Sequence, residues 1–422
     1  MTLWRAEPKR CFPFLKFCPN IQEIMYRNSI SYILHGLILV LFILPACKKE
    51  IVPKAFFPRS AHEAYQHALE EANLIETALG RDWTLAGEEA LQKPVVIGLP
   101  FEEAFYWDPK SANATAYRFF VKRGLRVELE IAVSSSDSLL LFADLFRETG
   151  DTVIQRTHVA TADEEMHRLE FEPRRDSYYA LRLQPELLRG GQFRVVIREV
   201  PSIGFPVKGK TSRSISSFFG DPRDGGSRNH HGVDIFAERN TPVLAPSNAS
   251  VTRVGEGEVG GRYVWLYDSK RSMHLYFAHL ETREVERGEQ VRAGQQIGTV
   301  GNTGNARYTP PHLHFGIYRN GPIDPFHFIA ETDSLPENIL GDMLLLGEWA
   351  QSRQKALMKS SPLVSGVFTD TIVSQPRVTI TALTANLCRV QLPDGSSGYI
   401  AEKQVELVRD TIQQKITPGS IL

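Results

Sequence analysis

The segment Pro311-His-Leu-His-Phe-Gly-Ile-Tyr318 constrains this chain more than any other. Read at the two-residue period of a strand, it puts His312 and His314 on one face and Leu313, Phe315 and Ile317 on the other. One face can pack a core while the opposite face gathers reactive side chains, so the strand belongs in a sheet with a covered side and an open side. Asn229-His-His-Gly-Val-Asp-Ile-Phe236 places His230 and Asp234 four residues apart, on one face of a second strand. A helix would align them too, but Gly232, Val233, Ile235 and Phe236 favour a strand. In Met273-His-Leu-Tyr-Phe-Ala-His-Leu280, strict alternation puts His279 with Met273, Leu275 and Phe277, and His274 opposite. Seven of the twelve histidines fall between 230 and 327, so the three runs are read together.

Two histidines and one carboxylate form a zinc-binding set that leaves a coordination position for water, and His230, Asp234 and His314 meet that need. His279 and His312 are left for proton transfer and for stabilising charge at a reacting carbonyl. A lone His-x-His is more often a structural pair, but five positions in order are difficult to obtain by coincidence.

At these residues the chain resembles the lysostaphin/LytM-type zinc metallopeptidases of bacterial cell walls, a family built on a duplicated hybrid motif. The resemblance rests on His230…Asp234, Phe277-Ala-His279-Leu280 and His312-Leu-His314. It rests also on the glycine scaffold Val285…Gly288…Val291…Gly294…Ile297-Gly298 and on Gly301-Asn-Thr-Gly304. It covers residues 201–333, less than a third of the chain. It implies a β-rich groove, one Zn2+ held by His230, Asp234 and His314, His312 as general base and His279 at the oxyanion. The implied substrate is the peptide part of peptidoglycan. Two departures are Thr309-Pro310-Pro311 before His312 and Phe277 where tyrosine is common. His231 is expected to line the groove, His274 and His327 to be satisfied structural histidines, and Asp324 to cap a turn.

Ahead of this region, Gly36–Ala46 is one apolar run, too short to span a bilayer and of signal-peptide length. It ends at Leu44-Pro45-Ala46-Cys47, which resembles the lipobox of bacterial lipoproteins and implies lipidation at Cys47. Met25 would give such a signal an ordinary length, so residues 1–24 fit poorly in front of it. A cell-envelope location, periplasmic or at the outer membrane, with membrane attachment through the lipid follows as an expectation. The remaining expectations give a mainly β, multidomain chain: a tether and helix over 48–93, with Leu69, Ala72, Leu74 and Ile75 as its buried stripe; a β-sandwich over 94–200; a helical linker over 334–360; and an SH3-like barrel over 361–410. His62 and His67 are expected at the helix surface. The turn Asp394-Gly395 followed by Gly398-Tyr399-Ile400 resembles the closing hairpin of bacterial SH3-like modules.

Composition narrows partners more than fold. With 48 basic and 49 acidic residues the formal charge is −1, so no global field favours nucleic acid. Setting aside Cys11, Cys18 and Cys47, only Cys388 remains, and no disulfide framework can be read. Peptidoglycan and a membrane are the expected partners. The rival functions are a non-enzymatic LytM-like activator of another wall hydrolase and a wall-binding lipoprotein; retention of all five chemical positions speaks against both.

Overall fold

The computed structural model describes residues 60–408, apart from 135–138, 333–334, 353–355, 364–367 and 373–376. The apolar run 36–46, Cys47, Met25 and most of the tether lie outside the described residues. Among the described residues, no helix is long and apolar enough to cross a membrane.

The chain opens with two helices where the sequence reading has one. Ala61–Glu71 starts at Ser60, whose hydroxyl accepts the amide of Glu63, and Ala78–Gln92 starts at Thr77, whose hydroxyl accepts the amide of Gly80. Asn73 adopts a left-handed φ of 55° and ends the first helix. The expected stripe is therefore interrupted: Leu69 is buried, Ile75 is half-buried, and Ala72 and Leu74 are exposed. His62, expected at the surface, is buried, stacked on Trp83 at 4.7 Å and hydrogen-bonded through Nε2 to Gln184 Oε1 at 2.8 Å.

Residues 95–201 form two facing sheets. One runs in the order 95–96, 115–121, 177–185, 141–149, 155–161; the other holds 101–107, 191–201, 125–134 and 168–171. Tyr117, Phe119, Leu145, Leu181, Val195 and Ile197 fill the space between them. The second sheet does not stop at its edge. Ala104 pairs with Leu383 and Phe105 with Ala382, which joins the sandwich to the strand Arg377–Thr384 of the C-terminal module. The seam is sealed by a buried polar knot: the hydroxyl of Tyr399 donates to Glu103 Oε1 at 2.7 Å, that of Tyr117 donates to Oε2, and Arg389 Nη2 lies 3.2 Å from Oε2.

The expected helical linker over 334–360 is not found among the described residues. Pro336, Gly341 and Gly347 punctuate it, a 3₁₀ turn covers only Met343–Leu345, and Trp349–Ser352 and Ala356–Lys359 are strands. Leu346 and Ala350 already belong to the C-terminal core with Val378, Ile380, Cys388 and Val390, so that module begins before residue 361. Its closing hairpin, Leu387–Gln391 with Ser397–Ala401, turns through Gly395 at φ 85°.

Between these parts, residues 203–330 build a separate core on an antiparallel sheet. Its order is Ile215–Ser217, Val233–Phe236, His312–Tyr318, Met273–Arg283, Gly261–Asp268, Ala249–Gly257, Gln290–Val291. Val233, Ile235, Leu275, Phe277, Leu313, Phe315 and Ile317 are all fully buried on one side. The alternation read from His312–Tyr318 and from Val233–Phe236 is thus the one that packs.

Candidate metal centre and its groove

Asp234 and His314 are cross-strand partners in register, and Phe236 faces His312 two pairs further along, on the same sheet face. Directly opposite side chains on a sheet face approach to about 4.5–5.5 Å at Cβ, so this register alone brings the carboxylate to the imidazole. His230 lies outside the strand that carries Asp234, contrary to the reading of one continuous strand, and comes in from the segment before the bend at Gly232. A Cβ on Gly232 would lie 2.5 Å from the carbonyl oxygen of Phe315 and 2.8 Å from Cε1 of His314. Only glycine lets the chain pass beneath that ring.

The three donors converge. His230 Nε2 is 2.9 Å from His314 Nδ1 and 3.1 Å from Asp234 Oδ1, and His314 Nδ1 is 3.0 Å from the same oxygen. Tetrahedral zinc with ligand bonds of about 2.0–2.1 Å separates its ligand atoms by roughly 3.3 Å, so this triangle is close to the size that zinc needs. The tautomer fits as well. His230 Nδ1 is 2.8 Å from the carbonyl of Phe218 and donates its proton there, which leaves Nε2 as a lone-pair donor. Burial alone would raise the Asp234 pKa, but the imidazoles of His230 and His314 beside its carboxylate hold it well below the usual carboxylate range. Burial pushes His314 down, so its ring is neutral, as a ligand must be.

His279 departs from the face that alternation assigns it. Its φ is +62°, its amide donates to the carbonyl of Gly260 at 2.8 Å, and the pairing with Gly261–Asp268 shifts register nearby. This left-handed residue turns the imidazole out of the core face of Phe277 and into the groove, where it meets His312 edge-to-face at 5.0 Å. Both rings are anchored alike: Nδ1 of His279 donates to the carbonyl of Thr303 and Nδ1 of His312 to that of Pro310, each at 2.9 Å. In each ring Nε2 is the nitrogen left free. Burial, and next the neighbouring His312, lower the His279 pKa to about 4. The Thr309-Pro310-Pro311 departure thus supplies a backbone acceptor, while Phe277 is a core residue whose ring lies tilted against that of Phe315, 5.2 Å between centroids.

These side chains floor a groove of about 480 Å³, lined also by Arg223, Tyr276, Asn305, Thr309 and Tyr318. Among the described residues its lining comes wholly from the 217–318 region, so the N-terminal helices and the sandwich contribute no wall. His231 lines the groove as expected, and Asp324 accepts the amide of Phe326 in a turn. His274, expected to be a satisfied structural residue, is exposed on the open sheet face against Tyr267; His327 is half-buried, with Nε2 3.2 Å from Lys122 Nζ. Arg223 went unread in the sequence, since it stands in no recognisable spacing. Its Nη2 donates to Asp234 Oδ2 at 2.7 Å and leaves Oδ1 to the two histidines.

Residues 228–325 match the family model described as peptidase family M23. The L-Ala–D-Glu endopeptidase of Bacillus subtilis is 38% identical over 124 residues, which is 28% of this chain and 38% of that protein. The peptidoglycan DD-endopeptidase ShyC of Vibrio cholerae is 36% identical over 129 residues, 30% of this chain and 28% of that protein. The uncharacterized lipoprotein YgeR of Escherichia coli is 37% identical over 116 residues, 27% of this chain and 43% of that protein. Each match spans less than half of the relative's length. Profile and relatives meet on the segment whose histidines and aspartate converge in the groove, and over residues 228–325 the chain is similar to peptidase family M23.

Proposed function

We propose that the chain is a zinc-dependent endopeptidase that hydrolyses peptide bonds of peptidoglycan. The observation that carries this reading is the triangle of His230 Nε2, Asp234 Oδ1 and His314 Nδ1, with edges of 2.9–3.1 Å, at the floor of an open groove. Zinc, when bound there, supplies Lewis acidity at the scissile carbonyl and brings the ionisation of water to near neutral pH. The chain's own residues do the rest. His312, its Nδ1 proton committed to Pro310, has Nε2 free to take a proton from the attacking water. His279 is a neutral ring of the same tautomer, so it favours negative charge at the carbonyl oxygen only once it shares that proton. Arg223 holds Asp234 from the far oxygen and so orients the near one. Peptidoglycan as substrate is supported by two relatives named for its bonds. The two names denote different bonds, and the termini released from sacculi identify the one this chain cuts.

Attachment to the cell envelope through a lipid on Cys47 is part of the proposal, supported by the lipobox-like Leu44–Cys47 and by a lipoprotein among the relatives. Loss of palmitate labelling in Cys47→Ala tests it, and continued labelling refutes it.

The decisive experiment separates metal binding from proton transfer. His230→Ala is expected to lose both zinc and cleavage of purified sacculi. His312→Ala is expected to keep close to one zinc per chain while losing about 10²–10⁴-fold in turnover. Zinc analysis beside mass spectrometry of the released termini reads both. Zinc lost from His312→Ala but kept by His230→Ala would reverse the assignment, and intact sacculi with the zinc-loaded wild type would refute the activity.

A further inference from the structure

A second cavity, of about 290 Å³, lies where the sandwich meets the peptidase domain, and it shares no lining residue with the groove. Its wall is strongly cationic. Arg123, Arg126 and Arg174 come from the sandwich and Lys270, Arg271 and Arg319 from the peptidase domain, against Glu170 and Glu172 alone. Half of these cations are already neutralised. Arg126 pairs with Glu128 at 2.6 Å, Arg271 with Asp268 at 2.8 Å and with Glu172 at 2.7 Å, and Lys270 with Glu172 at 3.0 Å. Arg123, Arg174 and Arg319 make no ion pair among the described residues. Arg123 feels Arg319 as a like charge, which together with the larger effect of burial lowers its pKa; Asp176 opposes this weakly and accepts the Arg123 backbone amide.

Unpartnered donors collect at the same place. Arg126 Nε, Arg271 Nε and Ser202 Oγ are buried polar atoms without a hydrogen-bond partner, and all three residues line this cavity. A fold ordinarily keeps such atoms few, because a buried donor without a partner forfeits its hydration and gains nothing in return. Like-charged guanidinium groups facing one another across a domain junction, beside orphaned donors, are complementary to an acceptor with more than one negative charge.

We propose that this cleft binds a phosphate-type oxyanion. A carboxylate fills one guanidinium fork, whereas a doubly charged tetrahedral oxyanion can accept from several at once and cancel the Arg123–Arg319 repulsion. The site couples the two domains, since its cations come in equal number from each. Met273 and Arg319 bring it to the ends of the strands that carry His279 and His314.

Titrating the full-length chain with sodium phosphate, against sodium chloride at equal ionic strength, tests this by calorimetry and by the thermal unfolding midpoint. Phosphate is expected to bind saturably and to raise the midpoint by a few degrees beyond chloride. The double variant Arg123→Gln/Arg319→Gln is expected to lose at least tenfold in phosphate affinity. Its midpoint in phosphate-free buffer should be no lower than the wild type's, because a repulsion has been removed. Phosphatidylcholine vesicles with and without phosphatidic acid identify the source. Extra binding to the acidic vesicles that the double variant loses assigns the oxyanion to a lipid headgroup; phosphate binding with no such increment assigns it to a soluble molecule. The proposal is overturned if phosphate acts no differently from chloride on the wild type, or if the double variant binds phosphate unchanged.

Discussion

Arg389→Met isolates the joint between the sandwich and the C-terminal module. Methionine keeps most of the aliphatic stem and removes the guanidinium, leaving fully buried Glu103 with two tyrosine hydroxyls and no cation. Coulomb's law across the 3.2 Å from Arg389 Nη2 to Glu103 Oε2 gives about 5 kcal/mol at an effective dielectric near 20. That figure is a ceiling, because removing the arginine also removes its own desolvation cost. Breaking one partner of a buried pair typically costs about 3–5 kcal/mol, and we expect the lower half of that range. The double variant Glu103→Gln/Arg389→Met should recover most of the loss, since the glutamine oxygen can still accept from a tyrosine and no charge is stranded. Scanning calorimetry can follow the change alongside the unfolding of the 203–330 core, which packs separately and should hold its midpoint. A single-variant cost below about 1 kcal/mol, or a double variant no better than the single, would show that the knot does not hold the joint.

Gly232→Ala should push the His314 ring by about 0.5 Å, the gap between the 2.8–2.9 Å contacts a Cβ would make and ordinary packing at 3.4 Å. Zinc affinity, read by competition with a chelating dye, should fall roughly ten- to a hundredfold; unchanged affinity would refute the steric argument. His62 supplies an acid-sensitive clasp for the N-terminal helices, because burial, and next Arg182, lower its pKa from 6.5 to about 4. A folded pKa below the unfolded one means that stability is full above pH 6.5 and is lost as pH falls toward 4. The amount is about 3 kcal/mol at most. His62→Phe should flatten that loss in urea titrations at pH 7 and pH 4.5, and an equal slope in variant and wild type would count against it.

What could be read locally in the sequence was the sheet at the site. The pattern of His312–Tyr318 specified which face packs, and the structure buries Leu313, Phe315 and Ile317 on that face. His279 was misread because alternation assumes an unbroken strand, and a single residue at φ +62° reverses its face. The signal was present in Gly301, where a Cβ would lie 2.5 Å from the amide of Glu281 and 2.8 Å from the carbonyl of His279. A glycine there marks close backbone approach, though not to what. The broken N-terminal helix was missed for a different reason. Asn73 and Thr77 are both end signals, but Leu74 and Ile75 between them continue the apolar spacing, and Trp83 rather than Leu74 turned out to pay for burial against Phe142.

The larger misreading concerns modularity. Strand rhythm treated the sandwich, the peptidase domain and the C-terminal barrel as beads on a chain, yet Ala104 pairs with Leu383 and Phe105 with Ala382. Local periodicity carries no information about such distant pairing, and the edge strand Phe101–Trp107 gave no hint of whether it would be covered. The consequence reaches the groove. The chain leaves the sandwich after Pro201, builds the peptidase domain, and then returns to close the sandwich sheet from the other side. At the point of exit Ile203 donates to the carbonyl of Phe328, and at the point of return the hydroxyl of Thr332 donates to the carbonyl of Glu199. Arg271 ties the two parts directly, donating to Glu172 of the sandwich and to the carbonyl of Ser202 at the exit. A domain held by two chain crossings and a half-buried arginine cannot swing as one on a single tether can. The direction in which its groove opens is therefore set by the sandwich, and under the proposed function a wall polymer approaches along that direction.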